Sequence, residues 1–472
     1  MNIYLWTNSK CLKGLIGNIQ KIFKGLFTRG SFIQNTAFMS SASLWGIVIQ
    51  FIFFPILSRI YTPESYGVFT VFNTFVALLG ATASLSYQKA LVLPKTDVEF
   101  AALLRVTLRT TGLVCVIAQL VFFAFGGLIT ETMDIQIVGS WIYLVPLFAF
   151  LLALDQIVQS WTVRSHAFRA ASLVGVPVTL FPKLFNVGYG KYVNNGPEGL
   201  ILTGALLYLL RIVLFPFFIV KDFFSTWKIR VTKDQRVQAK SEYRDYPRYV
   251  FWGNLLNIGS GYIVPLSLPL FFIEASQIGL FSYAMVLIDL PIRILGSGIA
   301  PVFLKRGVEL WASDKQEFAA KTWRLYRVLT LVFIPFLLVM VVFGEPLYNI
   351  IFGEQWAQAG VVAGILVSGF IFRYVSNPIS SVFNITRREK SLMTFQVTLF
   401  IMRIAGIIIP GLAGMGFMSM MFGFAIANAI SYLLYIIWIF KILEVNTFRV
   451  LLFTTVTLII PAVGGWIYLL LS

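Results

Sequence analysis

The segment "ESYGVFT" at residues 64–70 leads into a long apolar run, and the similar segment "SQIGLFS" at residues 276–282 leads into another. Both contain the pattern Gly-x-Phe-[Ser/Thr], and each follows the first long apolar run of its half of the chain. Similar segments in equivalent positions indicate an internal repeat. We therefore expect the chain to fold as two related halves.

The composition around these segments is that of a membrane protein. Of the 472 residues, 58% are hydrophobic and only 12% are charged, whereas a soluble domain has about 25% charged residues. Apolar runs of ~20 residues recur along the whole chain, and each is long enough to cross a hydrocarbon core of ~30 Å. The sequence predicts an all-α polytopic membrane protein and excludes a β-barrel, whose segments are short and alternating.

We predict thirteen transmembrane helices, at residues 32–58, 65–88, 106–129, 137–162, 170–190, 199–220, 249–272, 278–303, 325–343, 357–384, 391–410, 417–440 and 449–471. With the N-terminus in the cytoplasm, most Lys and Arg residues fall in cytoplasmic segments, as the positive-inside rule requires. The net charge of +17 therefore reflects membrane orientation and does not indicate a nucleic-acid partner.

A polar connection divides the first twelve spans into two sets of six. We predict a leader at 1–30, an N-terminal lobe at 31–224, a basic cytoplasmic linker at 225–247, a C-terminal lobe at 248–443 and an additional helix at 444–472. Lobes of six spans each share one topology and are related by an axis along the membrane normal.

The leader at 1–30 lacks the continuous apolar core of a cleavable signal peptide. Its apolar residues share one helical face, and its lysines lie largely elsewhere. This pattern is typical of an interfacial helix on an anionic leaflet. The alternative is a plain basic leader that only sets the orientation.

Four arginines lie near the middle of predicted spans: Arg211, Arg293, Arg373 and Arg403. A guanidinium in hydrocarbon costs from roughly 3 to more than 10 kcal/mol, so such residues usually face a bundle interior or a wet cavity. Because arginine stays charged and binds phosphate through two hydrogen bonds, the set predicts an internal path for an anionic substrate. The alternative is snorkelling or structural hydrogen bonds to carbonyl groups.

Two carboxylates accompany the arginines within the predicted spans. Asp289 and Arg293 are four residues apart and share one helical face, and Asp155 lies beside Gln156 in the fourth span. A membrane carboxylate can take a proton or coordinate sodium, and so can couple transport to an ion gradient. The alternative is an internal salt bridge that only holds helices together.

Two further basic residues lie near the ends of spans. Arg59 precedes Thr62, which can N-cap the second span, and it complements the dipole of the preceding helix at its C-terminus. The alternative places Arg59 on the rim of the cavity. Lys89 ends the second span and either snorkels to the inner interface or faces the cavity.

Enzyme and metal motifs are missing from the sequence. It contains no P-loop, no nucleophile elbow and no HExxH motif, and it has a single histidine, His166. We therefore expect no enzyme activity, no cofactor and no metal site.

Three segments resemble one known family. They are "PILSRIYTPESYGVF" at 55–69, "YQKALVLP" at 87–94 and "WTVRSHAFR" at 161–169. They are similar to segments of the bacterial polysaccharide flippases, which translocate O-antigen and capsule repeat units and belong to the multidrug/oligosaccharidyl-lipid/polysaccharide exporter superfamily. A thirteenth span departs from the family's usual twelve or fourteen.

The resemblance implies two six-helix lobes that form a V in the bacterial inner membrane. It implies a cationic cavity and movement of an undecaprenyl-diphosphate-linked oligosaccharide from the inner to the outer leaflet. It also implies alternating access coupled to H⁺ or Na⁺. The expected partners are that lipid-linked substrate, membrane lipids, and a glycan polymerase and chain-length regulator.

Four other functions compete with this interpretation. A lipid II flippase has the same fold, and a multidrug antiporter differs in preferring an acidic cavity for its cationic substrates. A membrane-embedded glycan polymerase or ligase needs large outer loops for its catalytic groups, and the loops here are short. A non-transporting component of a glycan-assembly complex would tolerate neutral replacements of the four arginines.

Overall fold

The computed structural model describes residues 46–132, 136–218 and 220–471, apart from the side chains of residues 132, 136–137, 168–172, 218, 220–223, 293–298, 301–302, 389 and 471. The predicted leader and the first part of the first span lie outside the described residues.

Within the described ranges, the regular secondary structure is helical and includes no strand. The α-helices are α1 (Gly46–Ser58), α2 (Pro63–Thr82), α3 (Tyr87–Ala90), α4 (Asp97–Thr132), α5 (Val145–Arg164), α6 (Phe168–Tyr192), α7 (Pro197–Phe218), α8 (Val220–Lys228), α9 (Lys233–Glu242), α10 (Phe251–Ser267), α11 (Ala275–Ser313), α12 (Lys315–Phe352), α13 (Ala357–Ser376), α14 (Val382–Ile385), α15 (Glu389–Leu412), α16 (Phe417–Ile442), α17 (Thr447–Thr454) and α18 (Ile460–Leu471).

Each predicted span coincides with a helical segment in the described part of the chain. Ten helical segments there are long and apolar enough to cross a membrane. Three of the thirteen predicted spans are not among these ten. They correspond to α1, whose described part begins at Gly46; to α6, which contains Pro177 and Pro182; and to α10, which has 17 residues. The prediction of an all-α polytopic membrane protein is confirmed. The lobe boundaries stay predictions.

The start of α2 follows from its sequence. Thr62 is the N-cap, and its hydroxyl accepts a hydrogen bond from the Ser65 backbone N–H at 3.2 Å. Pro63 occupies the first turn, where its missing N–H costs nothing, and Glu64 complements the helix dipole there. This predicted capping arrangement is confirmed.

The two similar segments pack against each other, one at the start of α2 and the other at the start of α11. A Cβ atom on Gly67 would lie 1.7 Å from the Ala275 carbonyl oxygen, and one on Gly279 would lie 1.8 Å from the Pro63 oxygen. The two backbones therefore meet through glycines, since any side chain there would collide with main-chain atoms. The positive-inside rule predicts that this contact lies at the outer end of the bundle.

The thirteenth span, formed by α17, a π-helical turn and α18, packs against the C-terminal half. The Tyr326 hydroxyl is 2.8 Å from the Thr454 hydroxyl, and both residues are buried. The Trp466 indole N–H donates to the Ile365 carbonyl at 3.2 Å. This helix is therefore an integral part of the bundle.

Candidate functional site

An ion pair joins α5 and α7 in the N-terminal half. Nη1 of Arg211 donates to both carboxylate oxygens of Asp155, at 3.0 and 2.8 Å, and Gln159 donates to the same carboxylate at 2.7 Å. The Asp155 side chain is only 2% exposed, whereas that of Arg211 is 29% exposed. The carboxylate is thus enclosed, and the guanidinium retains a face on which an anion can bind.

A looser pair joins α11 and α13 in the C-terminal half. Oδ1 of Asp289 is 3.9 Å from Nη1 of Arg373, and the side chains are 36% and 31% exposed. Asp289 also lines a cavity of about 160 Å³ between α1 and α11, together with Gln50 and Ser282. The long distance and partial exposure leave room for a ligand or an ion at this pair.

Arg403 lies close enough to Asp289 and Arg373 to interact with both electrostatically. It is 5% exposed, and its guanidinium is enclosed by α10 and α16. Nε and Nη2 donate to Oδ1 of Asn428 at 3.0 and 2.8 Å, and Nη1 donates to the Ser260 carbonyl and hydroxyl at 3.0 and 2.8 Å. In this conformation Arg403 holds three helices together.

The enclosure of Arg403 leads us to predict that its replacement lowers stability. Arg403→Ala leaves buried acceptors on Asn428 and Ser260 without donors, at a cost of about 1–3 kcal/mol for each unsatisfied group. We expect a lower unfolding temperature in detergent but near-normal activity per folded molecule. Arg403→Lys is the control that retains the charge. Loss of activity at unchanged stability would contradict a positioning role and favour direct contact between Arg403 and a ligand.

Arg59 lies at the predicted outer end, where α1 and α12 end. Its Nη1 donates to the Pro55 carbonyl at 2.9 Å and to the Ile351 carbonyl at 3.0 Å, and Nη2 donates to the Ile350 carbonyl at 3.2 Å. A cation at a helix C-terminus stabilises the free carbonyls there. Arg59 thus caps two helices, one in each half; the contact with the preceding helix α1 was predicted from the sequence, and the contact with α12 was not.

Lys89 connects the halves at the predicted inner end. Its Nζ donates to Oδ1 of Asn254 on α10 at 2.8 Å. The preceding Gln88 donates to Gln156 at 3.1 Å, next to Asp155. The neighbouring residues Gln88 and Lys89 therefore connect α5, which carries the buried carboxylate, with α10 of the other half.

The structure brings some of the predicted residues together and separates others. Asp289, Arg373 and Arg403 form one cluster, Asp155 and Arg211 form a second, and Arg59 and Lys89 lie at opposite ends. The backbone of Arg293 belongs to α11, but its side chain lies outside the described residues, so its pairing with Asp289 stays a prediction. Among the residues that the structure describes, no group of three His, Cys, Asp or Glu side chains is placed to hold a metal ion.

The sequence interpretation missed the amide and hydroxyl partners of the charged groups. Gln159 lies one helical turn from Asp155, a spacing that was available as a signal. Asn428, Ser260 and Asn254 lie on other helices, and no local spacing connects them with Arg403 or Lys89.

Comparison with known proteins places this arrangement in a family. The model of the family described as "Polysaccharide biosynthesis protein" matches residues 56–362, which is more than half of the chain. A relative from Klebsiella pneumoniae, described as an uncharacterized membrane protein in the cps region, is 22% identical over 426 residues, which cover 87% of this chain and 82% of the relative.

Two solved structures resemble the fold over most of both chains. The lipid II flippase MurJ in an inward closed conformation has a TM-score of 0.66 at 14% identity, and the likeness covers 92% of this chain and 97% of MurJ. An inward-facing MATE-family multidrug transporter has a TM-score of 0.62 at 12% identity, over 87% of this chain and 99% of that one. At these identities the likeness concerns the fold alone.

Proposed function

The chain belongs to the polysaccharide biosynthesis protein family, and from that premise we propose that it is a flippase for lipid-linked oligosaccharides. The proposed substrate is an O-antigen or capsule repeat unit on undecaprenyl diphosphate, moved from the inner to the outer leaflet of the bacterial cytoplasmic membrane. The N-terminus lies in the cytoplasm in this proposal.

The observation that carries the proposal is the partly exposed pair of Asp289 and Arg373 in a bundle of this fold. The pair is held at 3.9 Å, beside a cavity that reaches α1 of the other half. A diphosphate competes well for a guanidinium in such a loose pair because it offers two charged oxygens in the geometry that arginine prefers. Arg211, with its exposed face, provides a second position for the head group.

The carboxylates supply the proposed coupling to H⁺ or Na⁺. When substrate draws Arg373 away, less positive charge stabilises the Asp289 carboxylate, and this favours binding of a proton or sodium there. Asp155 is buried and more tightly paired, so it changes state only if α7 moves relative to α5. The glycan and the charged groups travel inside the bundle, and the polyprenyl chain stays in lipid.

Complementation of a deletion strain tests this function. Asp289→Asn and Arg373→Gln are expected to reduce surface glycan display strongly, with the lipid-linked precursor accumulating in the inner leaflet. The matched control is Lys240→Gln, an exposed charge on α9. Protein levels must be equal across strains. Normal display by both variants would favour a non-transporting role beside a glycan polymerase or chain-length regulator.

A lipid II flippase is the second candidate, because the MurJ structure shares the fold at a TM-score of 0.66. Lipid II is also a diphosphate-linked glycan, so the same charged cluster suits both substrates. A strain that lacks its own lipid II flippase distinguishes the two functions. Restoration of growth by this protein would support the second candidate, and restoration of glycan display alone would support the first.

A further inference from the structure

A basic cavity lies on the C-terminal half, away from the pairs described above, at the end assigned to the cytoplasm. It has a volume of about 560 Å³ and adjoins a second cavity of about 580 Å³. The two share Arg388, Ile442 and Glu444 as lining residues. The ends of five helices form their walls: α11, α12, α15, α16 and α17.

Four cations line the two cavities, and they face one carboxylate. The cations are Lys315, Arg388, Lys441 and Arg449, and the carboxylate belongs to Glu444. Arg388 precedes α15, whereas Lys441 lies at the end of α16 and Arg449 near the start of α17, so the fold brings Arg388 together with two cations that flank the α16–α17 connection. An excess of positive charge in a concave site favours an anionic ligand.

Tryptophans and aliphatic side chains complete the site. The guanidinium of Arg449 lies 5.7 Å from the ring centre of Trp323, and Nζ of Lys315 lies 5.0 Å from that of Trp311. The second cavity continues along α16 past Trp438 to Leu434, which is 51% exposed. A charged chamber that opens onto an apolar helix face at the membrane interface matches a lipid, with its head group inside and its acyl chains along the helix.

Trp323 provides an independent sign of a missing partner. The residue is 7% exposed, lines the basic cavity, and its indole N–H has no hydrogen-bond acceptor among the described residues. Buried polar groups are nearly always satisfied, and an indole N–H can only donate. The Trp323 side chain lines the cavity, so a phosphate or ester oxygen that reaches its N–H would supply the acceptor.

We propose that this cavity binds the head group of an anionic phospholipid from the cytoplasmic leaflet. The thirteenth span contributes Arg449 and packs its Phe453 against Trp323 at 5.4 Å, so it completes the site. A bound lipid joins α12, α15, α16 and α17 through one head group and stabilises the docking of that additional helix. The site is separate from the proposed substrate path.

Native mass spectrometry of the purified full-length protein tests this proposal. The test variant is Arg388→Gln/Arg449→Gln, and the control is Lys240→Gln/Arg324→Gln, which removes two exposed charges outside the cavities. We expect wild type and control to retain phosphatidylglycerol or cardiolipin and the test variant to retain several-fold less. Added anionic lipid should raise the unfolding temperature of wild type and control only, and phosphatidylcholine should raise none.

Two results would overturn the proposal. Equal retention of anionic lipid by the test variant and the control would show that the cavity is not the binding site. Stabilisation by inorganic phosphate at the same concentration as the lipid, in wild type but not in the test variant, would identify a soluble anion as the ligand. The double variant Arg388→Lys/Arg449→Lys should keep most of the lipid, since it preserves the charge.

Discussion

Arg211→Ala is expected to abolish glycan display and to lower stability more than any other single replacement in the charged clusters. It leaves the Asp155 carboxylate, which is 2% exposed, with Gln159 as its remaining described partner. Breaking a buried ion pair by removing one partner costs about 3–5 kcal/mol, because the other charge stays buried without compensation. Unfolding in detergent and glycan display at matched protein levels measure the two effects.

The double variant Asp155→Asn/Arg211→Gln separates the two contributions. It removes both charges, so most of the lost stability should return. Display should stay low if the charges act in transport. Recovery of display together with stability would mean that the pair only holds α5 and α7 together, which is the structural alternative for Asp155.

Gly67→Leu and Gly279→Leu are each expected to force the predicted outer ends of α2 and α11 apart and to reduce transport to background. Even a Cβ atom would lie 1.7 or 1.8 Å from a backbone oxygen, and carbonyls of packed helices cannot move aside as side chains do. Forced overpacking of a close contact typically costs about 1–3 kcal/mol, which is enough to change the balance between two conformations.

Cysteine labelling measures this opening. Ser65 is 7% exposed at the start of α2, so Ser65→Cys in a background without Cys11 and Cys115 reports access from outside. A water-soluble maleimide should react several-fold faster in the two leucine variants. Gly204→Leu is the matched control, since a Cβ atom there meets nothing within 4 Å. Slow labelling and normal transport in Gly67→Leu would contradict the interpretation that this glycine contact closes the predicted outer end of the bundle.

Local sequence rules predicted which segments are helical, but several helices extend well beyond the predicted spans, such as α4 (Asp97–Thr132) beyond 106–129 and α12 (Lys315–Phe352) beyond 325–343. Apolar runs decide which segments are helices in a membrane, because a lipid-exposed backbone must satisfy its own hydrogen bonds. The Thr62–Pro63–Glu64 cap and the contact of Arg59 with the end of α1 depend on neighbours in the sequence, and both were predictable for that reason. The family resemblance drawn from residues 55–69, 87–94 and 161–169 is confirmed by the match over residues 56–362.

Contacts between charged side chains on different helices were harder to predict from the sequence. The spacing of Asp289 and Arg293 predicts a pair within one helix, which stays a prediction, and the sequence did not show that Arg373 on α13 also lies beside Asp289. Arg403 and Arg373 have similarly apolar neighbours in the sequence. Arg403 is nevertheless enclosed by Asn428 and Ser260, whereas the Arg373 side chain is 31% exposed. Which face of a helix meets which neighbour depends on the packing of the whole bundle, and no single span contains that information.

Transport in purified vesicles tests the central claim most directly. The protein would be reconstituted with a fluorescent undecaprenyl-diphosphate-linked repeat unit, and a membrane-impermeant quencher would report how much substrate has crossed between leaflets. We predict substrate crossing with wild type, faster under an imposed H⁺ or Na⁺ gradient, and little crossing with Arg211→Ala or Arg373→Gln. Crossing no faster than in protein-free vesicles, with or without a gradient, would contradict the account.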